Sequence, residues 1–239
     1  VINGRKWWSS GLGDPRCKVA IVMGKTNFEA KRHAQQSQVI VPMDTPGVNI
    51  LRHLPVFGYD DAPHGHMEVE LKDVRVPVDN VLLGEGRGFE IAQGRLGPGR
   101  IHHCMRTIGV AEEALHKMCK RLQEREAFGK PIFDLQAVQF RLADMVTELE
   151  AARHLVLNAA AMKDRGEPCL KEACMAKLFC AQAAERITSE AIQVLGGYGY
   201  LADYDVERMY RDQKVCQIYE GTTNMQLSVI AKQILGKMT

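Results

Sequence analysis

The stretch "LQAVQFRLADMVTELEAARHLVLNAA" (residues 135–160) has the clearest periodicity in the chain. Apolar residues recur there at steps of three and four, at Leu135, Val138, Leu142, Met145, Leu149, Ala152, Val156 and Ala159. This spacing places one apolar stripe along a helix, which has about 3.6 residues per turn. A helix must bury such a stripe against another element, so the stretch predicts a packed helical domain.

Helical patterns flank this stretch on both sides. From about residue 87 the period changes, and a first helix carries a stripe made of Ile101, Met105, Ile108, Leu115, Met118 and Leu122. After the break "DRGEP" (164–168), a third helix at about 170–195 has small residues on one face and ends at Gly196-Gly197. Thr222 or Thr223 caps a last, short helix. Because the loops are short, we predict an antiparallel four-helix bundle over residues 86–239.

Residues 1–85 have the pattern of strands instead. Short segments rich in Val and Ile, separated by Gly, Pro and Asp, lie at "KVAIVMG" (18–24), "SQVIVPM" (37–43), "GVNILRHL" (47–54) and "HMEVELKDVRVP" (66–77). Their number and spacing predict an antiparallel β barrel or sandwich. The predicted fold class is therefore α+β, with a β domain at 1–85 followed by the helical bundle domain at 86–239.

Composition excludes several kinds of partner. Lys+Arg number 31 and Asp+Glu 29, a net charge of +2, so no nucleic-acid partner is expected. No apolar run is long enough to predict a membrane span. The seven cysteines contain no CxxC pair, which indicates reduced thiols in a reducing compartment. The chain begins "VINGRKWW", without Met and already in a strand pattern, so we expect a fragment.

Two motifs carry candidate ligand-binding residues. In "NGRKWWSSG" (3–11), strand alternation puts Trp8 and Ser10 on one face, where an indole and a hydroxyl could flank a flat aromatic ligand. The alternative is one buried and one surface tryptophan. In "REAFGKPI" (125–132), Arg125 ends the first long helix, stopped by Gly129. It either complements the helix C-terminus or reaches a phosphate, in its own or a neighbouring subunit.

Two further motifs contain a substrate candidate and a base candidate. In "RLGPGRIHHC" (95–104), Arg100 follows a Gly-Pro-Gly break at a helix start, and the adjacent histidines diverge, so no metal site is predicted. In "QIYEGTTN" (217–224), Glu220 is either a surface acid ahead of a helix cap or a base placed to take a proton.

Together, "INGRKWWSSG", "GRGFEIAQGR", "REAFGKPI", "QVLGGYGY" and "IYEGTTNMQ" resemble the acyl-CoA dehydrogenase family of FAD flavoproteins. The resemblance covers nearly the whole chain, and its branch is the one that includes human family members ten and eleven. It implies a partial middle β domain and a C-terminal helical bundle, with an N-terminal helical domain absent from this chain.

The resemblance implies roles residue by residue. Glu220 matches the catalytic base; other members carry that base one residue before the equivalent of Arg100, where this chain has Gly99. Arg100 and Gly221 match substrate-binding positions. The positions that match FAD-binding residues are Trp8, Ser10, Arg125, Phe128, Gln136, Gln193, Gly196, Gly197, Thr222 and Asn224.

The implied activity is α,β-dehydrogenation of an acyl-CoA thioester in fatty acid β-oxidation, with Glu220 taking the α proton and flavin N5 the hydride. The implied partners are an electron-transfer flavoprotein as acceptor and further copies of the chain in a homodimer or homotetramer. An acyl-CoA oxidase on the same fold and a catalytically inactive scaffold remain alternatives. The resemblance leaves the location open between mitochondrion, peroxisome and bacterial cytoplasm.

Overall fold

The period-two segments form five strands in the first of two compact units, Val1–Gly94. The computed structural model describes residues 1–236. The strands are β1 (Ile2–Ser10), β2 (Val19–Lys25), β3 (Gln36–Pro42), β4 (Val48–His53) and β5 (His66–Val74). They pair antiparallel as a three-stranded sheet of order β1-β5-β4 and a two-stranded sheet β2-β3. This confirms the predicted antiparallel β region.

Strand β5 is the central strand and carries most of the core of this unit. Its alternate residues pack with Val41 from β3, and the buried set is Val41, Met67, Val69, Leu71 and Val74. The pairing of Ser10 with His66 and of Ile2 with Val74 fixes the register of β1. Because the side-chain period of a strand is two, this register also decides which face of β1 each side chain occupies.

The two tryptophans differ from the expected alternation. The register of β1 shifts between Lys6 and Ser9, and Trp8 has a left-handed backbone with φ 56°. Trp7 and Trp8 are 54% and 59% exposed, so the alternative of one buried tryptophan is wrong. A bulge inserts an extra residue into a strand and re-aims the side chains beside it, which alternation alone does not anticipate.

Helices form the second unit, from Arg95 onward. Its elements are α1 (Gly88–Glu124), a hairpin of β6 (Glu126–Ala127) and β7 (Lys130–Pro131), α2 (Gln136–Asp164), α3 (Leu170–Leu195), α4 (Val206–Lys214) and α5 (Thr223–Leu235). The predicted helical domain is confirmed, with α4 as an additional, unpredicted helix. The division between units falls inside α1, and the predicted boundary after residue 85 stays a prediction.

Two local predictions about α1 are wrong. Pro98 lies inside this 37-residue helix rather than at its start, and Gly129 lies in the β6–β7 turn rather than at its end. A proline removes one helical hydrogen bond, and the packing of a long buried stripe outweighs that local cost.

The apolar stripes of α1, α2 and α3 meet in one core. It includes Ile108, Met118, Met145, Val156 and Ile187, with alanines along α3 that allow close helix approach. No helix among residues 1–236 has a stretch long and apolar enough to cross a membrane.

Candidate active site

Glu220 and Gly221 form a sharp backbone turn just before α5. Their φ angles are 55° and 92°, both in the left-handed region that L-residues rarely adopt. A Cβ atom at position 221 would lie 2.6 Å from Nε2 of Gln226, so a glycine is required there by space as well as by conformation. A non-glycine residue such as Glu220 keeps this conformation only where its surroundings hold it.

Three side chains hold this turn by its carbonyl oxygens. Arg100 Nε and Gln226 Nε2 each donate to the Glu220 carbonyl at 3.2 Å. Gln226 also donates to the Gly221 carbonyl at 2.8 Å, and Lys177 Nζ donates to it at 2.7 Å. All three donors are buried, at most 8% exposed. Burial lowers the pKa of Lys177 from its ordinary value, because the charged form loses its hydration.

The carboxylate of Glu220 has two oxygens in different surroundings. Oε1 lies 3.2 Å from Nε2 of His103 and 3.9 Å from Nη1 of Arg95. Oε2 is buried and has no hydrogen-bond partner among residues 1–236. The side chain as a whole is 13% exposed. A carboxylate with one oxygen held and the other unpartnered has a free acceptor with which to take a proton.

Position 99 of α1 also lies next to the Glu220 carboxylate. A Cβ atom on Gly99 would lie 2.2 Å from Nη1 of Arg95 and 3.0 Å from Oε2 of Glu220. A side chain on this residue of α1 would therefore displace the end of Arg95 and crowd the Glu220 carboxylate. Glycine at position 99 avoids both contacts, which agrees with the interpretation of Glu220 as the base.

Trp8 and Ser10 meet at His66 within the β unit. Ser10 Oγ is hydrogen-bonded to Nδ1 of His66 at 2.7 Å, and the Trp8 and His66 rings are 5.8 Å apart, edge to face. His66 Nε2 lies 3.3 Å from the carboxylate of Asp61. The structure thus brings the predicted indole and hydroxyl together in spite of the bulge, with a histidine between them that the sequence pattern did not indicate.

Arg125, Phe128 and Gln136 lie in and beside the hairpin between α1 and α2. Arg125 and Gln136 are exposed, and Phe128, at the tip of the turn with φ 54°, is 90% exposed. A fully exposed phenylalanine leaves about 2 kcal/mol of potential burial energy unused. This ring therefore suits a surface that another molecule covers.

The remaining predicted FAD residues lie at two helix ends. Gln193 is exposed in the last turn of α3, and, apart from the adjoining chain, no atom of residues 1–236 comes within 4 Å of a Cβ atom placed at Gly196 or Gly197. The hydroxyl of Thr222 accepts from the Met225 backbone N–H at 3.3 Å and caps α5, as predicted. Asn224 is exposed in the first turn.

The chemistry of these groups is of the kind that binds FAD. An exposed indole or phenyl ring suits a flat ring system, and a guanidinium or an open glycine backbone suits a pyrophosphate. Within the helical unit, hydrogen bonding joins Arg100 to the Glu220–Gly221 turn. The individual roles toward FAD stay predictions.

His103, Lys177 and Gln226 contact the Glu220–Gly221 turn, and the sequence analysis missed their roles. Two of them had a signal. Lys177 lies between Ala173 and Ala181 on the small-residue stripe of α3, where a cation is unexpected unless it is paired. His103 follows Arg100 by three residues and so shares its side of α1.

Models of protein domains match almost the entire chain. Residues 1–74 match the acyl-CoA dehydrogenase middle domain, and residues 86–235 match the acyl-CoA dehydrogenase C-terminal domain. The chain belongs to the acyl-CoA dehydrogenase family. This family comprises oxidoreductases that act on CH–CH bonds, and the resemblance noted from the motifs is confirmed.

Individual members of the acyl-CoA dehydrogenase family agree with this assignment. Acyl-CoA dehydrogenase family member 11 of Gallus gallus is 51% identical over 97% of this chain and 30% of its own length. A candidate acyl-CoA dehydrogenase of Mycobacterium abscessus has a TM-score of 0.96 and 43% identity over 100% of this chain and 59% of that one. Butyryl-CoA dehydrogenase of Megasphaera elsdenii has a TM-score of 0.88 and 37% identity, and the match covers 98% of this chain and 60% of that one. The chain spans about 30% of the length of family member 11 from Gallus gallus and from Homo sapiens.

Proposed function

We propose that this chain supplies the catalytic base and part of the FAD site of an acyl-CoA dehydrogenase. The observation that carries the proposal is the Glu220 carboxylate, which is 13% exposed and has one oxygen, Oε2, without a partner among residues 1–236. It is followed by Gly221, whose left-handed backbone and close approach to Gln226 shape the turn that carries the carboxylate.

The proposed role of Glu220 is to take the proton from the carbon next to the thioester carbonyl. This carbon acid is weak, so the carboxylate must be held in a fixed place where water does not compete for it. The donors on the Glu220 and Gly221 carbonyls, Arg100, Lys177 and Gln226, fix the turn that carries it. Bound FAD would supply the redox chemistry, as acceptor of the hydride from the β carbon.

The residues proposed to hold FAD are those that match FAD-binding positions of the family. Trp8 and Ser10 would flank the ring system, with Arg125 and Phe128 at the adenosine and phosphate end. The positions at the ends of the helices, Gln136, Gln193, Gly196, Gly197, Thr222 and Asn224, would complete the site. Exposure of the Phe128 ring and open space at both glycines support this assignment.

The substrate class proposed is an acyl-CoA thioester, and the proposed acceptor is an electron-transfer flavoprotein. The similarity to a butyryl-CoA dehydrogenase supports the substrate class. Arg125 is proposed to act across a subunit interface of a homo-oligomer. Peroxide formation with acyl-CoA in air would instead indicate the oxidase alternative.

The deciding experiment is Glu220→Gln in the purified full-length protein with FAD bound. Glutamine keeps the size of the side chain and removes the base, so flavin content should stay unchanged while anaerobic bleaching of the flavin by acyl-CoA is lost. The matched control is Glu113→Gln, an exposed glutamate of α1 whose ion pair with Lys117 is at the surface. Bleaching at the full rate in Glu220→Gln would rule out this base.

A further inference from the structure

His103 lies between a cation and the proposed base. Its Nε2 is 3.2 Å from Oε1 of Glu220, and its Nδ1 is 2.5 Å from Nη2 of Arg106. Its side chain is 14% exposed. Both contacts are made by the ring nitrogens, so each nitrogen has one partner of known hydrogen-bonding character.

These two partners determine the protonation state of the ring. A guanidinium nitrogen carries hydrogens and no free lone pair, so Arg106 can donate and Nδ1 of His103 must accept. A carboxylate oxygen accepts, so Nε2 must carry the hydrogen and donate to Glu220. A doubly protonated ring would point an N–H at the hydrogens of Arg106. The geometry therefore requires the neutral Nε2–H tautomer.

Surrounding groups keep the ring in this state and orientation. The Tyr219 ring packs on it with centroids 4.6 Å apart, and Tyr219 directly precedes Glu220 in the chain. Burial and the charge of Arg106 lower the pKa of His103, while the nearby Glu220 carboxylate opposes this shift. The net direction is toward the neutral ring, in agreement with the hydrogen-bond partners.

We propose that His103 is a positioning residue that holds Oε1 of Glu220 through its Nε2–H and so leaves Oε2 to take the proton. Arg106 contributes by fixing the tautomer from the other side of the ring. This inference rests on the proposed role of Glu220 as base. A carboxylate held by one oxygen loses rotational freedom about its last bond, so the free oxygen keeps one direction.

The tautomer is tested by nitrogen NMR of the full-length protein labelled with ¹⁵N at histidine. The His103 signals are identified by their loss in His103→Gln. We expect a protonated Nε2 and an unprotonated Nδ1 at neutral pH. A protonated Nδ1, in the other tautomer or in a charged ring, would overturn the proposal. This readout needs no turnover, so it separates failure of the His103 assignment from failure of the proposed function.

The positioning role is tested by His103→Leu and His103→Gln. Leucine removes the donor, whereas glutamine places an amide N–H near the position of Nε2. We expect His103→Leu to slow anaerobic flavin reduction by acyl-CoA about 10- to 100-fold, with the dissociation constant for acyl-CoA unchanged. We expect His103→Gln to recover most of this rate.

The matched control is His102→Leu, the same substitution on the adjacent, exposed histidine, for which no loss is expected. Circular dichroism and FAD content verify that each variant is folded. Equal rates in His103→Leu and the wild type, or equal losses in His103→Leu and His103→Gln with both folded, would refute the positioning role.

Discussion

Replacing Gly221 with alanine tests how far the turn at the proposed base depends on this glycine. Its φ of 92° lies in the region where an L-residue costs about 1–2 kcal/mol. The new Cβ atom would also lie 2.6 Å from Nε2 of Gln226, which is 1% exposed and must shift. That shift weakens the bonds of Gln226 to two carbonyl oxygens, at about 0.5–1.5 kcal/mol each. Gly221→Ala should therefore lower the free energy of unfolding by about 2–5 kcal/mol.

Gly166 provides the matched control. Its φ of 72° is also left-handed, but in the described part of the chain only its immediate neighbours come within 4 Å of a Cβ atom placed there. Gly166→Ala should cost about 1–2 kcal/mol, from backbone strain alone. Both substitutions reduce the freedom of the unfolded chain equally, so this effect cancels. The excess cost of Gly221→Ala, about 1–3 kcal/mol, measures the displaced glutamine.

The assay is urea unfolding of the full-length variants, followed by circular dichroism, with flavin reduction by acyl-CoA measured where both remain folded. We expect a lower midpoint for Gly221→Ala than for Gly166→Ala, and a rate loss of about 100-fold in Gly221→Ala alone, because a small displacement of the base is costly. Equal midpoints in the two variants would show that Gln226 does not hold the turn, and the reasoning would fail.

Two further predictions concern the cofactor and the location of the base. Arg125→Ala should weaken FAD retention, measured by flavin content, and subunit association, measured by light scattering after gel filtration. The control is Lys120→Ala, at a side chain that is 71% exposed near the same helix end, and it should change neither quantity. Unchanged FAD affinity would contradict the cross-subunit role. In Glu220→Gly, flavin reduction by acyl-CoA should disappear. Adding Gly99→Glu should raise the rate of this reduction at least about tenfold, since a Cβ atom at position 99 lies 3.0 Å from the original Oε2 and the end of the flexible Arg95 side chain, 2.2 Å away, can move aside. No recovery in a folded double variant would show that the two positions do not serve the same point in space.

The long helices could be predicted from the sequence because their signal is repeated many times. The third helix was expected at about 170–195 and α3 spans Leu170–Leu195. Helix α4 escaped prediction because it has nine residues and is mostly polar, with Val206 and Gln213 as its buried residues. Two turns of helix carry too few apolar positions to show a period, and the packing of α4 on the rest of the unit decides its structure.

Local rules failed where tertiary contacts compete with them. Trp8 was expected to share a face with Ser10 by alternation, but β1 is bulged between Lys6 and Ser9. Both side chains contact His66 on the neighbouring strand. This shared neighbour comes from the pairing of β1 with β5, which the periodicity of one strand does not contain.

Part of the candidate site can be predicted from neighbouring residues in the sequence, and part depends on residues distant along the chain. The glycines at positions 99 and 221 can be seen in the sequence. Together they distinguish Glu220 from the other acidic residues. The local pattern does not show which groups hold Glu220, since its partners Arg100 and His103 are 120 and 117 residues away along the chain. From its local sequence, Glu220 resembles a surface acid before a helix cap. The packing of α1 and α3 around the turn places Arg100, His103 and Lys177 beside it. The Glu220 carboxylate is therefore only 13% exposed and, among the described residues, keeps one oxygen free. The chemistry of Glu220 is thus a property of the assembled helical unit, and variants of its distant partners test it as directly as variants of the residue itself.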